Sequence, residues 1–92
     1  MTNQTLHIRI ISPQQLLLNT EATSVSSKNA QGNFDILPQH ANFITVIEDS
    51  PITIRPTGSQ KPMVFKFPLA ILMTTENKVD IYTYVQPQID KK

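Results

Sequence analysis

Residues 5–12 read TLHIRIIS. Leu6, Ile8 and Ile10 fall on one side of an extended chain, with His7, Arg9 and Ile11 on the other. Alternation of this kind is what a half-buried β-strand requires, because successive side chains point to opposite faces. The same period of two returns along the chain. SPITIRP (50–56) alternates Ile52 and Ile54 between prolines, and KPMVFKFP (61–68) sets Met63, Phe65 and Phe67 against Val64 and Lys66. KVDIYTYV (78–85) sets Val79, Ile81, Thr83 and Val85 against Asp80, Tyr82 and Tyr84. β-Branched and aromatic residues dominate these runs and suit a pleated surface.

Turn signals separate the runs: KNAQGN (28–33), EDSP (48–51), PTGSQKP (56–62) and TENK (75–78). Seven prolines argue against long helices. Pro51, Pro62 and Pro68 sit at run edges, where a missing ladder donor is tolerated, and Pro13, Pro38, Pro56 and Pro87 punctuate between runs. SPQQLLLNTEA (12–22) reads as a turn followed by a short strand, with one turn of helix as the runner-up. Its Ser-Pro start suits a helix cap, but the three contiguous leucines break the helical face. Strands this short are not stable singly. Two facing sheets must therefore enclose a common core, giving an all-β sandwich.

Size and composition agree. A chain of 92 residues makes one domain, burying about 60% of its unfolded surface. Apolar residues form 39% and charged residues 16%, far from the disorder signature. Net charge is +1, and no basic stripe interleaved with aromatics is present, so nucleic-acid binding is not expected. The longest apolar stretches, FPLAILM (67–73) and FITVI (43–47), fall short of the ~20 residues needed to span a bilayer. MTNQTLHIRI lacks the basic start and apolar core of a signal peptide.

Chemistry is sparse. With no cysteine there is no disulfide, no thiolate nucleophile and no cysteine-bound zinc. His7 and His40 stand 33 residues apart without a metal-binding spacing, and His7 reads as a solvated strand residue. Glu48 and Asp49 precede Ser-Pro and read as turn acids rather than a catalytic pair. Gly32 and Gly58 are the only glycines, too few for a phosphate-cradling loop, and no serine lies in a nucleophile elbow. No catalytic residue, cofactor or metal is expected. The working part of such a protein is its surface.

One segment ties these features together. GNFDILPQHANFIT (32–45), through Gly32, Phe34, Ile36, Leu37, Pro38, His40 and Ala41, resembles a signature of the epsilon subunit of F-type ATP synthases. LHIRIISPQQLLLN resembles the family's first strand and turn, and NKVDIYTY its last strand, so the likeness runs over residues 5–85 in order. The resemblance implies a ten-stranded, mostly antiparallel β-sandwich over residues 1–86 with a short tail at 87–92. It also implies a non-catalytic subunit at the foot of the central stalk, on the soluble side of an energy-transducing membrane (the cytoplasmic face in a bacterium). There it would link the gamma subunit to the membrane rotor ring.

By the same resemblance, Ser12, His40, Phe43 and Thr45 are expected to face gamma. Asn33, presented by the turn at Gly32, is expected to face the ring. Two glycines of the signature are replaced by Asp35 and Gln39, and Pro68-Leu69 stands where the family has a glycine pair. The tail VQPQIDKK stops short of the family's helical hairpin, and Ile89-Asp90 is not followed by the Arg and Ala of its nucleotide motif. Neither ATP binding nor helix-mediated inhibition is expected, and the Met1 start reads as a naturally short chain. The alternative from the residues alone is a free-standing sandwich adaptor that takes an extended peptide along an edge strand.

Overall fold

The strand opened by Leu6 is present as read. In the computed structural model, which describes residues 5–58 and 61–84, Leu6, Ile8 and Ile10 are fully buried while His7, Arg9 and Ile11 are half-exposed. Among the described residues there are eight strands and no helix. In chain order they are β1 (Leu6–Ile11), β2 (Leu16–Asn29), β3 (Gly32–Ile36) and β4 (Phe43–Glu48), then β5 (Pro51–Pro56), β6 (Met63–Lys66), β7 (Leu69–Thr75) and β8 (Lys78–Thr83).

The ladder runs β4-β7-β8-β1-β2-β5-β6, and β3 pairs with β2 off this path. Only β1 and β8 are parallel, with Ile8 opposite Val79 and Ile10 opposite Ile81; the other pairings are antiparallel. The long strand β2 organises the whole. Its first half pairs with β1, Leu6 opposite Ala22. Its second half lies between β3 and β5, with Ser26 opposite both Asp35 and Thr53. A register shift between Ala22 and Ser24 marks the changeover, and such irregularities bend a strand and raise its twist. One strand thus serves two layers, β4-β7-β8-β1-β2 and β3-β2-β5-β6.

The curl is driven by burial. Leu6, Ile8, Ile10, Ala22, Val25, Ile36, Ile47, Ile52, Ile54, Ala70, Leu72, Val79 and Ile81 form a single cluster drawn from both layers. Each large side chain here contributes ~1.5–3 kcal/mol on leaving water, and a flat sheet would leave one set exposed. Phe34, Phe43, Met63, Phe65 and Phe67 close the margins, the last phenylalanine stacked on Phe65 at 6.2 Å between centroids. The resemblance implied ten strands, and the described residues hold eight. The turn expected at Ser12-Pro13 is present, closed by the Ser12 amide on the Gln15 carbonyl (2.9 Å), and the short strand expected after it runs on as the 14-residue bent strand LLLNTEATSVSSKN.

The expected turns at 28–33, 48–51 and 75–78 sit in place, and the one at 56–62 includes residues 59 and 60, which lie outside the described residues. Asn29–Gly32 closes a tight hairpin in which the Gln31 amide donates to Asn29 Oδ1 and Gly32 takes φ +124°. Glu76 and Asn77 both have positive φ (49° and 66°), the pairing of a type I′ hairpin. Of the two replaced glycines, Asp35 lies in the β3 ladder, and Gln39 is the one in the left-handed region (φ 70°). Where the family's glycine pair would bend the chain, the Asp49 amide instead ties to the Phe67 and Pro68 carbonyls, both at 3.1 Å. The tail at 87–92, with Ile89-Asp90, lies outside the described residues.

Candidate functional site

Sandwich strands normally show one buried and one wetted side. β4 and β7 do not. In FITVIE the inward positions are Phe43, Thr45 and Ile47, and the outward ones are Ile44, Val46 and Glu48. In LAILMTT the outward set includes Leu69 and Ile71. Register places Val46, Ile71 and Tyr82 side by side across β4, β7 and β8, with Leu69 next to Glu48 and Ile44 next to Met73. Ile44 is 67% exposed and Tyr84 59%, and Val46, Leu69, Ile71 and Tyr82 are also exposed. Leu69, Ile71, Tyr82 and Tyr84 line an open apolar depression of about 300 Å³ with Pro68 at its lip.

The polar border of this face is fixed. Arg9 on β1 grips Asp80 on β8 through two bonds, Nε to Oδ1 at 2.9 Å and Nη2 to Oδ2 at 3.1 Å. The Asp80 carboxylate, by that hydrogen bond and its charge, raises the already high pKa of Arg9. A forked pair of this kind holds both side chains in one orientation, so the border is shaped as well as charged.

The individual residues singled out from the sequence are distributed differently from that face. Ser12 is buried at the turn after β1, where its Oγ donates to the Gln15 carbonyl (3.1 Å) and accepts from the Gln15 amide (3.2 Å). His40 is half-buried; its Nδ1 lies 2.7 Å from the Ala41 carbonyl, and its ring meets Phe43 edge-on at 5.6 Å. Phe43 meets Phe34 in the same manner at 5.4 Å, and Thr45 Oγ1 accepts from Asn29 Nδ2 at 2.9 Å. His40, Phe43 and Thr45 are therefore brought together along β4 and the loop before it. Ser12 is remote from them. The Gln39 amide donates to Asn77 Oδ1 and the Asn77 carbonyl accepts from the His7 amide, which puts the His40 loop at the start of β1. Ser12 follows its end, roughly 17–20 Å away along a six-residue strand.

Asn33 is exposed at the start of β3, opposite Lys28. It lines an open basin of about 470 Å³ on the outer face of the second layer, of mixed lining, with Ser26, Phe34, Asp35, Pro51 and Arg55 among the other residues. Among the described residues no group of three or more His, Cys, Asp or Glu side chains is placed to hold a metal ion. No helix among them is long and apolar enough to cross a membrane.

A long bent strand shared by two layers, one parallel pair and an apolar outer flank can be set beside known proteins. The model of the family "ATP synthase, Delta/Epsilon chain, beta-sandwich domain" matches residues 5–85. The chain belongs to this family. Among relatives of the Delta/Epsilon family, the ATP synthase epsilon chain of Moorella thermoacetica is 38% identical over 50 residues, covering 54% of this chain and 37% of that one. That of Caulobacter vibrioides is 29% identical over 56 residues, 61% of this chain and 65% of its own. That of Streptomyces avermitilis is 23% identical over 86 residues, 94% of this chain and 68% of its own.

Thus the chain spans only part of the length of several curated relatives. The fold recurs in a chain of the Tetrahymena thermophila mitochondrial ATP synthase central stalk/c-ring structure, with TM-score 0.73, 17% identity and coverage of 92% of this chain and 67% of that one. It recurs again in the Euglena gracilis mitochondrial ATP synthase, in the structure of OSCP, F1 and c-ring, with TM-score 0.80, 12% identity and coverage of 90% and 52%.

The apolar outer face is the feature that reading by period alone did not isolate. Its signal was present in the sequence: FITVI and PLAILM are apolar at both parities, which is the mark of a strand covered on both sides.

Proposed function

We propose that this chain is a non-catalytic rotor subunit of an F-type ATP synthase. It links the gamma subunit to the membrane rotor ring on the soluble side of an energy-transducing membrane, so that ion flow is coupled to ATP synthesis. The observation that carries the reading is the outward apolar surface of β4, β7 and β8 in a chain of the Delta/Epsilon family. A continuous group of exposed isoleucine, leucine, valine and tyrosine side chains is costly to leave in water and marks a permanent contact. Gamma seats on that surface, and the His40–Phe43 edge of β4 borders it. Ser12 acts from beneath, by holding the turn after β1 in shape.

The task is mechanical. A close-packed interior yields little under load, so a two-layer slab passes force from one outer face to the other without creep. Its part in catalysis elsewhere in the machine is to keep two moving parts in register.

The experiment is co-elution. Gamma and this chain, mixed at micromolar concentration, elute as one species in size exclusion, over an interface of at least ~1,000 Å². Two separate peaks contradict the reading and leave the adaptor alternative, in which the chain captures an extended peptide instead.

A further inference from the structure

The edge of a sheet is adhesive because its N–H and C=O groups lack partners. Folded chains guard such edges with short strands, proline, lysine or bulges. Here β4 and β6 end the ladder, and β3 pairs with β2 alone. β6 is guarded: four residues long, it lies between Pro62 and Pro68 and ends on Lys66. β3 has five residues, an exposed Asp35 and Pro38 just beyond it. β4 has none of these devices. FITVIE holds no proline and no lysine, and its register against β7 runs from Phe43 to Glu48 without a shift.

The far side of β4 is open. Depressions of about 270 and 390 Å³ follow it between the strand and the tip of the β2–β3 hairpin, and Asn29 and Ala30 line both. Asn29 Nδ2 bonds the Thr45 side chain (2.9 Å), and among the described residues β4 has β7 as its one ladder partner. Another β4 suits such an edge. An antiparallel copy related by a two-fold axis supplies donors and acceptors to the unpaired main chain, and the contact is self-complementary.

Residues of like parity must oppose each other for the apolar sides to stay together. With Thr45 on the axis, Ile44 opposes the copy's Val46 and Phe43 opposes the copy's Ile47, apolar against apolar on both sides of the sheet. Glu48, the one charge on the strand, then falls opposite the uncharged Asn42. An axis at Val46 would instead set Glu48 against Ile44 twice. The exposed Ile44 and Val46 gain cover in this way, and no like charges meet.

We propose that two copies of the free chain pair antiparallel through β4 about Thr45, so that their β4-β7-β8-β1-β2 layers become one continuous sheet. Because β3 and β6 are guarded, association closes at the dimer instead of growing into a filament. Two six-residue strands make a small contact, so the dimer is a weak one that forms at micromolar concentration or above. The inference goes beyond the rotor reading and needs no gamma.

Sedimentation velocity on this chain alone, from low micromolar to submillimolar concentration, tests it. The unmodified chain shifts from monomer to dimer. Val46→Lys puts a charge on the edge and weakens the dimer at least tenfold, whereas Ile71→Lys, one strand further in, leaves it unchanged. The chain has no cysteine, so Thr45→Cys gives a second reading. Oxidation links it as a dimer, because directly opposed residues of an antiparallel pair have Cα atoms ~4.5–5.5 Å apart, within disulfide reach. A chain that stays monomeric throughout overturns the proposal, as does undiminished dimerisation of Val46→Lys. A dimer weakened as much by Ile71→Lys as by Val46→Lys overturns it too, since that outcome places the contact on the apolar flank.

Discussion

Gln39 occupies a backbone conformation that costs a side-chain-bearing residue energy. Its φ of 70° lies in the left-handed region, where Cβ crowds the following carbonyl. The loop holds it there because the Gln39 amide donates to Asn77 Oδ1 and the His40 amide to the Leu37 carbonyl. Gln39→Gly keeps both bonds and relieves the strain, offset in part by the greater freedom of glycine in the unfolded chain. The expected outcome is a gain of about 0.5–1 kcal/mol in denaturant unfolding; a loss would show that the Gln39 side chain holds the loop. The sequence marked positions 35 and 39 as sites of replaced glycine, but only the ladder of β3 shows which one is bent. Local propensity cannot distinguish a residue within a strand from one in a turn when both lie between an aromatic and a histidine.

At the same scale, Glu21 carries the chain's clearest acid signature. The Thr5 hydroxyl donates to its Oε1 at 2.6 Å and the His7 ring lies 2.8 Å from its Oε2. The Thr5 bond first, then the His7 bond, holds the carboxyl below its ordinary value of 4.5. A depressed acid contributes stability that is present above the unfolded value and lost as pH falls through the folded one. Glu21→Gln therefore flattens the decline of stability below pH 4.5. Thermal melts across that range check it, and an unchanged acid limb would show that the hydrogen bonds do not alter its titration.

At the scale of the strand, β4 is the informative element. The family likeness pointed to Phe43 and Thr45 as the side chains offered to a partner, whereas β4 turns Ile44, Val46 and Glu48 outward and packs Phe43 between Phe34 and His40. A shift of one residue exchanges every side chain between the two faces, so the parity of a strand matters more than its location. Phe43→Asp places a carboxylate in an aromatic corner and is expected to cost about 2–4 kcal/mol, while Ile44→Asp costs within about 1 kcal/mol. Paired denaturant titrations check the difference. Equal losses would mean that Ile44 is buried too. Period and turn residues in the sequence revealed β1, β5, β6 and β8 because burial alternates along each of them. β2 was less legible. Its 14 residues mix Leu, Thr, Ser and Lys because the strand serves two layers, and its inward side changes across the register shift.

For the molecule as a whole, the sandwich class was readable because alternation, proline placement and turn spacing agree with one another. What was not readable is how the layers join, since that depends on pairings between segments distant in sequence. β1 meets β8 across nearly the full chain, Arg9 with Asp80, and no local pattern announces that contact. The resulting slab carries an apolar outer flank on β4, β7 and β8 around a single core.

The decisive measurement is a calorimetric titration of gamma with the unmodified chain and with Ile71→Asp, whose melting is first shown to be unaltered. Ile71 sits at the centre of the outward row between Val46 and Tyr82. The account predicts at least a hundredfold weaker binding by the variant, because a carboxylate buried in an apolar contact loses its hydration without a partner. Equal affinities for the two proteins would contradict it.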